Sequence, residues 1–375
     1  LRLIFPSMQW FTLAVFLVSA LVQTGYALLV YIRLPLYRHP KKRATGKGTS
    51  VVICARNESE NLRRFLPVIL EQDYPVFEVV VVNDASTDDS EDVLAGLAAR
   101  YSRLRYTTIP CNDQFTHGKK LALTIGIKSA RYESLLLTDA DCCPQSPQWI
   151  RKMISNLTGE KKIVLGYGKY EKGKGLLNYL IRYETVFTAI QYLSYAIRGK
   201  PYMGVGRNLA YRKSLFFENR GFAGHYHLES GDDDLFVNET ATGKNTAVEF
   251  SAESHTVSVP ETSFRDWIRQ KQRHLSAGTH YRSSSRIRIA VELVSRILLY
   301  ASLVAVCFVS PWKWHALIAF GAILLVKLAI FKSGMRRLNE KDLLLPSLLL
   351  DPLMPVILGL IWFSNIFITR YQTWK

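Results

Sequence analysis

At 375 residues and 48% hydrophobic, the chain is long enough for two or three structural units and too apolar to be disordered. Five cysteines in a chain of this length do not make a disulfide-stapled miniprotein. The formal net charge of +17 invites nucleic acid, a membrane surface or an acidic substrate as partner, without choosing among them.

Residues 10–32 (WFTLAVFLVSALVQTGYALLVYI) carry no charge, and roughly 20 apolar helical residues cross a ~30 Å hydrocarbon core. The run predicts a transmembrane helix over 8–33. It is too long for the apolar core of a cleaved signal peptide and has no small-residue cleavage site after it. Arg33, Arg38, Lys41, Lys42, Arg43 and Lys47 follow without an acid, and a second basic run from Arg265 to Arg288 is opposed only by Asp266. Both runs abut apolar stretches. That is the pattern of juxtamembrane segments facing anionic lipid, not of a nucleic-acid module, so no nucleic-acid partner is expected.

Apolar, β-branched runs at 50–55 (SVVICA), 77–82 (FEVVVV) and 135–138 (LLLT) predict buried strands, with helical spacing at 58–72, 90–99 and 119–130. Strands buried on both faces and alternating with helices make an open, mostly parallel α/β sheet, which binds ligands at the carboxyl ends of its strands. Acids collect there: Asp84 after the second strand, and Asp139-Ala140-Asp141 after the third. An Asp-x-Asp loop can turn two carboxylates toward one hard cation that keeps several waters and bridges phosphates. Gly231-Asp232-Asp233-Asp234 sets three acids in a row, which taken alone repel one another and read as a solvated loop. Cys142-Cys143 lacks zinc-ligand spacing and reads as buried thiols.

Residues 286–375 predict a C-terminal membrane region of about three helices, near 289–309, 314–331 and 352–369. Glu292 and Arg296 stand i, i+4 in the first, while Lys327 and Asp351 sit in or beside the others and leave those open as buried or interfacial helices. The positive-inside rule then makes 48–285 a cytoplasmic domain of a multi-pass protein of the cell membrane, with the last helix running outward.

The ordered motifs SVVICARNESEN, VVVVNDASTDDS, HGKKLAL, LLLTDADC, GVGRNLAYRKS, SGDDDLF and QKQRH resemble family 2 of the inverting glycosyltransferases over roughly 50–275. The chain is most similar to the membrane-embedded branch with cellulose, chitin, hyaluronan and poly-N-acetylglucosamine synthases and ceramide glucosyltransferase. The resemblance implies the GT-A nucleotide-diphospho-sugar transferase fold. It also implies metal-dependent transfer from a nucleotide sugar, a UDP-sugar by expectation, to a lipid-linked or saccharide acceptor with formation of a β-linkage. By the same resemblance Ala55, Arg56, Glu58 and Asp84 hold base and ribose, although Asn83 and Ala85 replace the family's aspartate and glycine. Lys119 neutralises diphosphate or ties the strand ends, Asp141 with Asp139 holds Mg2+ or Mn2+, and Asp139 also faces the nucleotide. Asp233 is implied as general base with Asp232 beside it. Gly204, Gly206, Asp234 and His274 fall on the acceptor side, and Gln270 and Arg273 on the donor, with His274 where the family carries tryptophan. A carboxylate among carboxylates has its pKa pushed upward, the direction a base needs. Two products stay open, single addition to a lipid or a processive polysaccharide; a catalytically inactive scaffold is the outside alternative.

Overall fold

The computed structural model describes residues 4–40, 46–111, 118–228 and 230–367. The chain enters along α1 (Ile4–Tyr26), a π-helical turn over Ala27–Tyr31 and a short α2 (Arg33–Leu36). An alternating series follows: β1 (Thr49–Ala55), α3 (Ser59–Leu70), β2 (Phe77–Asp84), α4 (Ser90–Arg100), β3 (Leu104–Ile109), α5 (Lys119–Ser129) and β4 (Ser134–Leu137). Next come β5 (Cys142–Pro144), α6 (Trp149–Ile154), β6 (Ile163–Leu165), β7 (Gly168–Tyr170) and the long α7 (Leu176–Ile197). β8 (Leu209–Arg212), α8 (Lys213–Glu218), α9 (Asp234–Thr240), β9 (Thr246–Val248), β10 (Thr256–Ser258) and α10 (Phe264–Gly278) complete the domain. Three long helices end the described chain: α11 (Ser283–Val309), α12 (Lys313–Arg337) and α13 (Leu344–Phe367).

Seven strands form the central sheet in the order β3-β2-β1-β4-β8-β6-β9, and β5-β10-β7 form a smaller one. The first four are parallel; β8 runs antiparallel to β4 and β6, and β9 is again parallel to β6. β1, β2 and β4 are buried at every position, which is why their sequences are apolar runs and do not alternate. Val52 and Val82 pack with Ala122 of α5 and Leu193 of α7 on one side. Val51 and Val79 pack with Leu66 of α3 and Leu94 of α4 on the other. α5 lies so close to the sheet that a Cβ on Gly126 would come 2.7 Å from Val52 Cγ1.

The expected strands and helices of the first half are present within a residue or two. β3 and α7 were not anticipated. β3 is a partly exposed edge strand without clean alternation, and α7 is buried around most of its circumference, so neither leaves a one-sided apolar stripe.

Four helical segments, Met8–Leu36, Ser283–Val309, Lys313–Arg337 and Lys341–Asn365, are long and apolar enough to cross a membrane. α12 runs on through the basic SGMRR stretch, and α13 begins well before residue 352, with Pro352 and Pro355 inside it. The last residues of the expected final helix, from 368 on, lie outside the described residues.

The charges that looked misplaced meet one another. Asp351 lies 3.0 Å from Lys327 Nζ and 3.2 Å from Arg296, which is 3.5 Å from Glu292. Tyr300 donates to Asp351 at 2.6 Å and Tyr183 of α7 at 3.2 Å, while Lys327 donates to Gln23 of α1 at 3.3 Å. Two acids and two bases cancel, and removing one partner of such a buried set typically costs about 3–5 kcal/mol. Both ends of α13 stay against the domain. Asp342, just ahead of it, accepts from Arg182 of α7 at 2.7 and 2.9 Å; Ser364 and Asn365 bond Gln272 of α10 at 2.9 and 3.0 Å. These contacts tie both ends of α13 to the domain, in a helix that is also long and apolar enough to cross a membrane.

Candidate active site

A cavity of 1190 Å³ opens at the carboxyl ends of β1 and β4, and every expected site residue except Ala55 and Asp84 lines it. Those two are buried at the ends of β1 and β2. The chain leaving β3 beside Asp84 soon enters 112–117, which lie outside the described residues. The loops after β1 and β2 are tied together: Thr87 N–H donates to Asn57 Oδ1 at 2.8 Å, and Asn57 N–H to Ser86 at 2.9 Å. Ala85, where the resembled family has glycine, adopts φ +50°, a left-handed conformation that costs an L-residue about 1–2 kcal/mol.

Lys119, at the start of α5, is the hub of the charges. Its ammonium lies 2.8 Å from Asp139 and 3.1 Å from Asp232, so it ties the loop after β4 to the acid run. Burial opposes its charge, but Asp139, Asp232 and Asp233 outweigh burial and raise its pKa well above the usual lysine value. Asp139 goes the other way: burial raises it, and the Lys119 charge more than compensates, leaving it below the usual carboxylate range. Asp141 has no ion pair of that kind among the described residues, and the Arg207 charge and the Cys142 thiol offset its burial only in part. Burial, then the charges of Asp139 and Glu58, push it up to about 7.

Asp139, Asp141 and Cys142 each offer a ligand atom within 4.8 Å of the others. Burial holds the Cys142 thiol well above its ordinary pKa, and it pairs with Ser258 at 2.9 Å, which leaves the two carboxylates as the donor set. Oxygen donors with surplus negative charge suit a hard divalent ion.

The acid run is not a solvated loop. Asp232 and Asp234 are buried, and Asp233 caps α9 by accepting from Asp234 N–H at 2.7 Å through Oδ1. Asp233 Oδ2 accepts from Gly206 N–H at 2.5 Å. Burial and the Asp232 charge push Asp233 up to about 6. A Cβ on Gly206 would approach Asp233 Oδ2 to 3.3 Å, so a small residue keeps this face clear. Gly204 serves packing instead, since its missing Cβ points at Leu165, Val237 and Leu209. Asp234 accepts from Tyr281 at 2.6 Å and so ties α9 to the turn ahead of α11.

Lys120 holds the segment that leads into the acids. Its ammonium donates to the carbonyls of His225, Leu228 and Ser230 at 2.5, 2.8 and 2.8 Å, a cage that substitution by methionine would empty. Lys120→Met is expected to lower kcat by roughly 10- to 100-fold, as a small misplacement of reacting groups does. KM for the donor should change far less; steady-state kinetics beside a melting curve check this.

On α10, Lys271 is buried and lies 2.5 Å from Glu184, so it does not face lipid with Arg265 and Arg269. Gln270 Oε1 is buried without a hydrogen-bond partner among the described residues. His274 is accessible from the cavity, yet the crowding of its walls, with Lys271 and Arg273 nearby, holds its imidazole below the usual pKa. His225 pairs with Glu239 at 3.2 Å, and neither it nor His227 reaches the cavity.

The sequence profile of glycosyl transferase family 2 matches residues 50–218, and that of glycosyl transferase family group 2 matches 136–363, more than half of the chain. The chain belongs to the family 2 group of glycosyltransferases. Among its curated relatives, the transferase is 30% identical over 95 residues to the poly-beta-1,6-N-acetyl-D-glucosamine synthase of Staphylococcus epidermidis, covering 25% of this chain and 22% of that one. It is 27% identical over 246 residues to the Bacillus subtilis protein named probable glycosyltransferase YdaM, covering 62% and 56%. The aligned stretches thus span from about a fifth to just over half of these relatives' lengths. A mannosyltransferase of Pyrobaculum calidifontis, solved in complex with GDP-Man and Mn2+, shares the fold at TM-score 0.58 and 20% identity, covering 90% of this chain and 98% of its own.

Arg207 is among the residues of this transferase's cavity that the sequence motifs do not mark as functional. Arg207 follows Gly206; its guanidinium stacks 4.2 Å over the Tyr170 ring, and its Nη1 is buried with no partner among the described residues. It stands within the field of Asp139 and Asp141, at the end of the cavity that also holds Arg273. The available signal was an arginine set between a small residue and a buried asparagine, in a segment otherwise built for close packing.

Proposed function

We propose that this transferase moves one sugar from a nucleotide sugar, a UDP-sugar by expectation, to the hydroxyl of a lipid-linked or saccharide acceptor at the cytoplasmic face of the cell membrane. The observation that carries the reading is one cavity joining the Asp139–Asp141 pair to a braced Asp233. Asp141 and Asp139 would hold Mg2+ or Mn2+. Such an ion, when bound, supplies Lewis-acid stabilisation of the leaving diphosphate. The Mn2+ and GDP-Man of the similarly folded mannosyltransferase are in keeping with this.

Arg207 and Arg273 offer fork-shaped, permanently charged donors to phosphate oxygens. Arg56 and Glu58, which line the cavity, take the nucleoside end, where a carboxylate accepts well from a hydroxyl or N–H, while Asp84, buried off the cavity, supports the strand end behind them. Asp233 removes the acceptor hydroxyl proton as that oxygen attacks the anomeric carbon from the face opposite the diphosphate. The bond to the diphosphate oxygen breaks with its electron pair on the nucleotide, and the configuration inverts to β. The cytoplasmic orientation rests on the basic flanks.

The test is label transfer from a panel of nucleotide sugars, with and without chelator. Transfer should stop on chelation and return with Mn2+ or Mg2+. Undiminished transfer in chelator removes Asp139 and Asp141 from this role.

A further inference from the structure

The cavity does not end at the acid run. Beyond His274 and Tyr281 its wall passes to Ile289 and Leu293 on α11 and to Leu358 and Trp362 on α13. The second half of α13 reaches this place because Ser364 and Asn365 are bonded to Gln272 of α10. One end of a continuous space is therefore charged and polar, and the other is an apolar cleft between two helices of membrane-spanning length.

We infer that this cleft receives the tail of a bilayer-resident amphiphile that is uncharged at its head and presents a free hydroxyl to Asp233. The inference rests on the reading of Asp233 as the base and narrows the acceptor class. The tail stays in apolar surroundings all the way from bilayer to site, whereas a soluble saccharide would leave the Ile289, Leu293 and Leu358 walls wetted.

Charge selects the head. Asp232, Asp233 and Asp234 crowd this end, the two lysines beside them are held by carboxylates, and the proposed mechanism gives Arg207 and Arg273 to the diphosphate of the donor. Lys119 holds Asp139 and Asp232, and Lys271 holds Glu184. Arg286 donates to the Thr279 carbonyl at 3.1 Å and reaches the Ser283 hydroxyl at 3.5 Å. A phosphate head beside these carboxylates would meet like charge. Its oxygen, already ionised, would also have no proton for Asp233 to take. A neutral hydroxyl needs a base and meets no such repulsion.

The experiment uses the full chain in phosphatidylcholine vesicles with labelled donor. Three acceptors are offered: a mixture of diacylglycerol, ceramide and sterol, a polyprenyl phosphate, or a soluble oligosaccharide. Label should appear in an organic-extractable product that survives mild acid as a glycoside does. Leu293→Trp and Leu358→Trp, which plug the cleft from opposite walls, should each lower that transfer at least tenfold, with nucleotide affinity from direct titration as the check on folding. Label on the polyprenyl phosphate or the oligosaccharide, transfer unaffected by both plugs, or nucleotide binding without label on any hydroxyl lipid overturns the inference. If the chain binds no nucleotide sugar at all, the transferase reading of the site falls instead.

Discussion

Asp233→Asn is expected to slow transfer by roughly 10²- to 10⁴-fold, the range a positioned general base contributes. The amide keeps much of the local structure, since its oxygen still accepts from Asp234 N–H and caps α9. What it loses is basicity, together with the bond from Gly206 N–H, which would face an NH2 group. Nucleotide affinity should persist, because the proposed mechanism gives Asp233 to the acceptor hydroxyl and not to the nucleotide. The pH profile gives a second readout. With Asp233 pushed up to about 6, the base is ionised above that value, so the rate falls as pH drops through about 6. Measuring kcat from pH 5 to 8 should show this acid limb in the parent chain and not in the residual activity of the variant. If Asp232→Asn abolishes transfer and Asp233→Asn does not, the base is Asp232.

The same shift has a stability sign. An unfolded aspartate ionises near pH 3.9, so the folded state binds the Asp233 proton more tightly. Its contribution to stability is full below about pH 4 and is lost as pH rises through about 6.

Arg207→Met is expected to lower kcat/KM for the nucleotide sugar by roughly 10²- to 10³-fold, the loss typical when one preorganised donor to a developing negative charge is removed. The surroundings fix this side chain before any ligand arrives. The hydroxyls of Thr138 and Thr256 each donate to its carbonyl at 3.0 Å, and its guanidinium rests on Tyr170. Gly168 clears the space, for a Cβ there would meet Arg207 Cβ at 3.0 Å. A buried guanidinium N–H without a partner is costly, and phosphate oxygens would satisfy it. Arg207→Lys keeps the charge but loses the fork and the ring stacking, so it should recover only part of the activity. The decisive comparison is donor affinity by titration: loss of melting temperature with affinity intact would make Arg207 a structural residue only.

The parallel half of the sheet was legible because β1, β2 and β4 are buried on both faces, and that leaves unbroken apolar runs. The acids were legible as motifs at strand ends. Their partners were not: nothing in the spacing of Lys119, Asp139 and Asp232 says that one ammonium bridges the other two, because the bridge forms only when the loops after β4 and before α9 converge. Taken alone, three acids in a row read as solvated, and the structure buries two of them against Lys119 and Tyr281. Lys271 misled in the opposite sense, since a basic helix beside a membrane suggests lipid and this lysine turns inward to Glu184. Arg207 was passed over because its role depends on Tyr170 and Gly168, some forty residues earlier in the chain.

The polar group around Asp351 fastens α1, α11, α12 and α13 to one another and, through Tyr183, to the catalytic domain. A joint of that kind resists whole-helix tilting, because any large displacement would strand a charge in hydrocarbon. Such a joint is expected to hold the gap between α11 and α13, so that an acceptor of the proposed kind would pass by side-chain rotation, on the picosecond-to-nanosecond scale, without helices parting. For an acceptor of that kind, throughput at saturating donor should follow its two-dimensional density in the bilayer, with the membrane acting as a substrate reservoir and not as a gate.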